Sequence, residues 1–506
     1  MTSRTTSDRS DPARPGALAL LGILAAIGCG GGSQGEAAGD GGLDAGDATS
    51  DGIVDAPSPR DGSHDGAKPD GSMDASMSDD AGGDGSPDGA VNQVPPYDVH
   101  QGDRLGCTFG PGSLTTDTVG PTVPHGDALP FAHVVVLMME NHSFDEYMSG
   151  LPAMGVTDVD VADDSYSNPD PGPPLTTVHR FHETRYCIAD TTHDWGPVHL
   201  QYDDGLMDGF DVTNAPGGAR AMGYYDQTDI PYYYWMASTF STSDRYFSSL
   251  LGPTWPNRFF FYGATSWGRT STPDTPPLNE NKILNELDTA GRTWQIYSEG
   301  TTSFAIVFGP MYAGTSMTQF FTDVANDALP DVAILDPTFS GSGEDDEHPP
   351  TDMQLGQALS ASIVSALMAQ PSVWASTVFF QVYDEHGGYY DHVPPPPACV
   401  PDGYTPPDYA FDRYGIRVPV MVVSPFVKAG YVSHLVMDHT SIDRFIENRF
   451  DLPAMTARDA NAWPMLDMFD FESPPFATPP GGAPPATVDQ AHSDWCANNP
   501  PGTGMP

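Results

Sequence analysis

The chain has 506 residues, with 20 Lys or Arg against 68 Asp or Glu, so its net charge is −48 and its pI is near 4.1. That balance excludes a nucleic-acid binder, because phosphate contacts need dense cationic surface, and it opposes electrostatic docking on anionic lipid. With 53 Gly and 51 Pro much of the chain is loop or linker, yet its length leaves room for a large core. After residue 30 no run approaches the roughly 20 consecutive apolar residues that a membrane-spanning helix needs.

Arg4, Arg9 and Arg14 precede an apolar run from Ala17 to Ile27, followed by Gly28 and Cys29. A basic stretch, a short apolar stretch and small residues make a secretory signal. The small residues before Cys29 resemble a bacterial lipoprotein box, so residues 1–29 read as a lipoprotein signal peptide. Cys29 is then the lipidated first residue, although Ala26 stands where such boxes usually carry Leu. No Arg-Arg pair points to twin-arginine export. Gly30 takes the place of an inner-membrane retention Asp, so the expected location is the bacterial outer membrane, periplasmic or surface-facing. The lipid anchor is the only membrane attachment expected.

Residues 30–95 are rich in Gly, Asp, Ala, Ser and Pro and contain no Phe, Tyr or Trp. Thirteen Asp and Glu36 face only Arg60 and Lys68, so this stretch carries −12. It cannot bury enough apolar area to offset chain entropy and reads as a disordered, self-repelling linker. Residues 96–506 still carry −37 and form the expected folded domain with a Pro/Gly-rich tail. Cys107, Cys187, Cys399 and Cys496 remain beside Cys29, which suits two disulfides in an exported chain, with three pairings open.

The clearest strand is the run from His133 to Met139, which ends in Glu140 and Asn141. A second, from Val378 to Tyr383, ends in Asp384-Glu385-His386, and a third runs from Val418 to Val423. Continuous β-branched and aromatic runs read as strands buried on both faces. Helical patterns from Gln354 to Met368 and from Ser441 to Phe450 alternate with them, which implies an α/β fold with a mostly parallel sheet. Ligands of such sheets bind beyond the carboxyl ends of the strands. Glu140, Asn141, Asp384 and Glu385 therefore form a candidate metal site for a hard divalent ion such as calcium, magnesium or manganese.

Thr254 stands where a helix can begin, with Pro256 suited to the first turn. A hydroxyl there meets the positive end of the helix dipole, so it is a candidate phosphate binder and nucleophile. His193 and His348 lie in polar loops and are candidate proton donors. His386 and His392 flank Asp384 as candidate orienting residues, and His142 reads as structural. The aromatic run from Tyr232 to Trp235 reads as core rather than as a cation–π cage.

Several segments together resemble the bacterial phosphoesterase family of phospholipases C and acid phosphatases, in the alkaline-phosphatase-like superfamily. They are Met138 to Asp145, His193 with Gly205 to Phe210, Met222 to Tyr225, Gly252 to Arg258, Glu347 to Pro349, Tyr383 to His392 and Arg417 to Pro419. They occur in the family's order within residues 131–470. The resemblance implies a three-layer α/β/α sandwich. It implies a metal held by Glu140, Asn141, Thr254, Asp384 and Glu385. It further implies Thr254 as nucleophile, and His193 and His348 as phosphoryl ligands or acids. The expected substrate is a phosphate ester, with phospholipid one candidate: a phospholipase C-type diester or an acid phosphatase-type monoester. The alternatives are a related hydrolase such as a nucleotide pyrophosphatase or sulfatase, and an inactive surface-tethered binding lipoprotein. A sulfatase would need Cys or Ser where Thr254 stands. The chain ends soon after Phe471, without the β-rich C-terminal domains of the larger phospholipases C.

Overall fold

The computed structural model describes residues 94–502, apart from 301, 342 and 407. The signal peptide, Cys29 and nearly all of the linker expected over 30–95 lie outside the described residues. Among the described residues no helix is long and apolar enough to cross a membrane.

Eight strands form one sheet: β1 (His133–Met139), β2 (Ser241–Ser243), β3 (Trp294–Ser298), β4 (Thr315–Ser316), β5 (Val332–Asp336), β6 (Thr377–Tyr383), β7 (Val420–Val423) and β8 (Tyr431–Ser433). Their order is β8-β2-β7-β6-β1-β5-β3-β4. β7 pairs antiparallel with β6 and β2, and every other pairing is parallel. The third run expected from sequence is therefore a strand from Val420, but its carboxyl end points away from the edge where β1 and β6 end.

Every residue of β6 is buried, as are Val134 to Met139 of β1. Successive side chains alternate between faces, so the sheet is covered on both sides and forms the middle of an α/β/α sandwich. One group of helices includes Pro231–Thr239, Met317–Ala325 and Met353–Ala369, which pack on one another. Another pairs Thr254–Gly263 with His439–Phe450. All residues of these last two helices are buried. In His439–Phe450 that burial takes in charged side chains, and Arg444 meets Glu447 at 2.8 Å and Thr118 Oγ1 at 2.6 Å. Tyr232 to Trp235 are buried in the core, as the sequence suggested.

Two disulfides, Cys107–Cys399 and Cys187–Cys496, resolve the pairing left open by sequence. The second fastens the tail helix Gln490–Asn498, which buries none of its residues, to the main body.

Candidate active site

β1 and β6 run side by side with Met139 opposite Tyr383, so Glu140 and Asp384 leave the sheet at neighbouring positions on one edge. The Asp384 N–H donates to the Met139 carbonyl at 3.1 Å and extends the ladder by one bond. Parallel β5 brings Asp336 to the same edge. Asn141 adopts φ +78°, a left-handed turn that Asn tolerates better than most residues, and it reverses the chain at the strand end. Two pairs of ligand candidates more than 240 residues apart in sequence thus reach one sheet edge, and Asn141, Asp384 and Glu385 have no exposed surface.

Thr254 opens the helix Thr254–Gly263 after Pro253, as the sequence suggested, and is 1% exposed. One turn later Arg258 reaches across to both strand ends. Its Nη2 lies 3.0 Å from Glu140 Oε1 and its Nε 3.1 Å from Asp384 Oδ2. Nη2 also donates to the carbonyls of Met138 and Met139 at 3.2 and 3.4 Å. The helix that carries the candidate nucleophile is therefore bonded to the candidate ligands.

His193 reaches the same place. Its Nε2 lies 3.4 Å from Asn141 Nδ2 and 3.8 Å from Glu385 Oε1, and its Nδ1 donates to the Thr191 carbonyl at 2.8 Å. His348 follows Asp346, whose carbonyl accepts from the Glu140 N–H at 2.8 Å. The two imidazole centres are 5.6 Å apart. His348 Nδ1 donates to the Pro349 carbonyl at 2.7 Å, while its Nε2 is buried without a hydrogen-bond partner among the described residues.

The electrostatics follow from crowding acids in a buried place. Burial raises Asp384 well above the usual carboxylate range, although Arg258 pulls it down. Burial and the neighbouring Glu140 raise Asp346 as well. Burial alone would raise Glu385, but His193 and His386 overcome it and the net shift is downward. Burial alone would lower both histidines. Glu385 and Asp190 turn His193 upward, and Asp190, Glu140 and Asp346 push His348 up to about 9. His348 is thus held as a cationic proton donor near neutral pH, and His193 is shifted in the same direction.

Asn141 Oδ1 and Glu385 Oε1 are buried acceptors without a hydrogen-bond partner among the described residues. Such atoms are rare in folded proteins unless a ligand, water or ion meets them. With Glu140, Asp384 and the Thr254 hydroxyl the donor set is entirely oxygen, which suits a hard divalent cation.

Other residues divide between the site and its surroundings. His386 lies against a candidate ligand, 3.3 Å from Glu385 Oε2 and 2.8 Å from Gln201 Oε1. His392 does not. It turns away to Asp145 at 2.6 Å and Asp160 at 3.0 Å. There Arg417 closes an ion-pair network with Asp145 and Asp391, so this trio of acids and histidine is already satisfied. His142 is structural, bonded to Glu146 and to the Glu347 carbonyl. Sequence reasoning missed Arg258, Asp336, Asp346 and His439, whose Nε2 donates to the Asp384 carbonyl at 2.7 Å. Only Arg258 left a signal, its spacing of four residues from Thr254.

A family model described as the Phosphoesterase family matches residues 131–453. Phospholipase C B of Mycobacterium tuberculosis is 31% identical over 426 residues, spanning 70% of this chain and 80% of that protein. Non-specific phospholipase C3 of Arabidopsis thaliana is 28% identical, over 69% of this chain and 75% of that protein. Non-hemolytic phospholipase C of Pseudomonas aeruginosa is 29% identical over 69% of this chain but only 58% of its own length. The chain belongs to the Phosphoesterase family and is a hydrolase acting on phosphoric ester bonds.

Proposed function

We propose that the chain is a metal-dependent phosphoesterase that works through a phosphothreonine on Thr254. The observation that carries this reading is the meeting of Glu140, Asn141, Asp384 and Glu385 at one sheet edge, tied through Arg258 to the helix that begins with Thr254. Those four residues and the Thr254 hydroxyl hold a divalent ion, with calcium, magnesium and manganese the candidates. When bound, the ion neutralises phosphoryl oxygen charge and lowers the pKa of a coordinated hydroxyl.

The chain's own residues do the rest. The Thr254 hydroxyl releases its proton to solvent, and its oxygen attacks phosphorus, forming one P–O bond as the bond to the leaving oxygen breaks. His348 or His193 gives that oxygen its proton, and the raised pKa of each supports the role. Water then attacks the phosphothreonine, giving a proton to the now neutral histidine as the Thr254 O–P bond breaks, and the Thr254 oxygen takes up a proton from solvent. The names of the curated relatives support a phospholipase C-type diester as the first substrate class, with a monoester second. Export as an outer-membrane lipoprotein anchored at Cys29 rests on the sequence pattern of residues 1–29.

The test is turnover of p-nitrophenylphosphorylcholine and p-nitrophenyl phosphate with and without chelator. Chelator-sensitive turnover is expected, lost in Thr254→Ala with the melting temperature kept. Undiminished activity in that variant would sink the nucleophile assignment.

A further inference from the structure

Arg258 is 1% exposed, and its guanidinium lies over the Phe304 and Phe339 rings, 5.4 and 4.8 Å from their centres. It contacts one oxygen of Glu140 and one of Asp384, and its Nη1 lies 4.0 Å from Asp336. Two carbonyl bonds to Met138 and Met139 and the aromatic rings fix its plane. Buried Arg417 also bridges two acids, but those lie away from the site, whereas the two acids that Arg258 joins follow different strands and belong to the candidate ligand set. An ionised carboxylate offers about four lone-pair sites, so each acid keeps acceptor capacity beside Arg258.

Resting on the metal-dependent reading above, we propose that Arg258 is a positioning residue that sets how tightly the site holds its divalent ion. Its fixed charge compensates the buried acids and aligns Glu140 with Asp384. The same charge opposes the ion. For a divalent and a unit charge roughly 6 Å apart, water-like screening would leave a repulsion equivalent to about tenfold in affinity, and weaker screening would leave more. A site of unopposed carboxylates would bind its ion tightly and leave little Lewis acidity for the phosphoryl group. Arg258 trades affinity for reactivity.

The test is calorimetric titration of the metal-stripped full chain with Ca2+, Mg2+ and Mn2+ in turn, on wild type, Arg258→Gln and Arg258→Lys. Arg258→Gln should bind the ion at least tenfold tighter. Its melting temperature when stripped should fall below that of the wild type and rise more on loading. Arg258→Lys keeps the charge but loses the two-armed contact. It should keep the wild-type affinity within threefold while turnover falls at least tenfold. Equal or weaker binding in Arg258→Gln would overturn the proposal. If that variant does not fold, a change beyond tenfold in the affinity of Arg258→Lys would overturn it. A wild type that binds none of the three ions would overturn the metal reading itself, whereas a wild type that binds beside an unaltered Arg258→Gln removes only the role of Arg258.

Discussion

Gly387 offers a direct way to disturb the site without replacing a candidate ligand. It follows Glu385 and His386 and has φ +65°, and a Cβ there would overlap the Asn141 carbonyl oxygen. It would also stand 2.9 Å from both the carbonyl carbon and the Cβ of Asn141. Carbon atoms pack at about 3.5–4.0 Å, so Gly387→Ala must drive the two loops apart by roughly 0.6–1 Å. Gly291 is the control, because its φ is +68° and nothing lies within 4 Å of its Cβ. Gly291→Ala isolates the left-handed strain, about 1 kcal/mol. Gly387→Ala adds an overpacking cost of about 1–3 kcal/mol. A displacement near 1 Å can cost about 10²-fold in rate, so turnover should fall far more than stability predicts. Both variants would be assayed for kcat/KM on p-nitrophenylphosphorylcholine at saturating metal and for melting temperature. If Gly387→Ala stays within threefold of Gly291→Ala in kcat/KM, the interlock between the Asn141 and Glu385 loops does not matter for turnover.

Two further predictions test the scaffold. Burial alone would lower His392, but Asp145 and Asp160 overcome it and raise its pKa from 6.5 to about 9. A group raised in the folded state stabilises fully below pH 6.5 and loses that contribution as pH rises through 9, here about 3 kcal/mol. His392→Gln should flatten the fall of thermal stability across that window, and an unchanged slope would refute the assignment. Cys496→Ser should free the tail, whose helix buries no residue and which otherwise holds by bonds such as Gly502 N–H to the Cys187 carbonyl at 2.9 Å. Limited proteolysis should then clip the chain beyond residue 476 while the main melting transition moves little. A large drop in that transition would mean that the tail contributes to the core.

The parts legible in sequence were those that local patterning dictates. β1 and β6 are long apolar runs buried on both faces, and the carboxyl-edge rule then places Glu140, Asn141, Asp384 and Glu385 together. β2, β4 and β8 have two or three residues each, most of them polar, and exist only because neighbouring strands pair with them. The reversed direction of β7 was equally invisible, since an apolar run carries no polarity. His386 and His392 look alike in sequence. Gly387 and Gly388 turn the chain between them, so one lies against Glu385 and the other joins a distant ion pair. His439 meets a backbone carbonyl, and a backbone acceptor leaves no residue-specific trace.

What the site gains from this arrangement is mutual support among its loops. The Glu140 N–H bonds to the Asp346 carbonyl, so the His348 loop is anchored to the β1 end. Gln201 donates to the Thr192 carbonyl and accepts from His386, which couples the His193 loop to the β6 end. Gly388 lies so close to this loop that a Cβ would stand 3.0 Å from Thr191 Cβ. Arg258 completes the set from the Thr254 helix. The segments that carry the candidate acids and ligands are thus bonded to one another through backbone and side-chain contacts. Mutual support of this kind is what an in-line displacement needs, since positioning and charge stabilisation supply most of the catalysis in phosphoryl transfer.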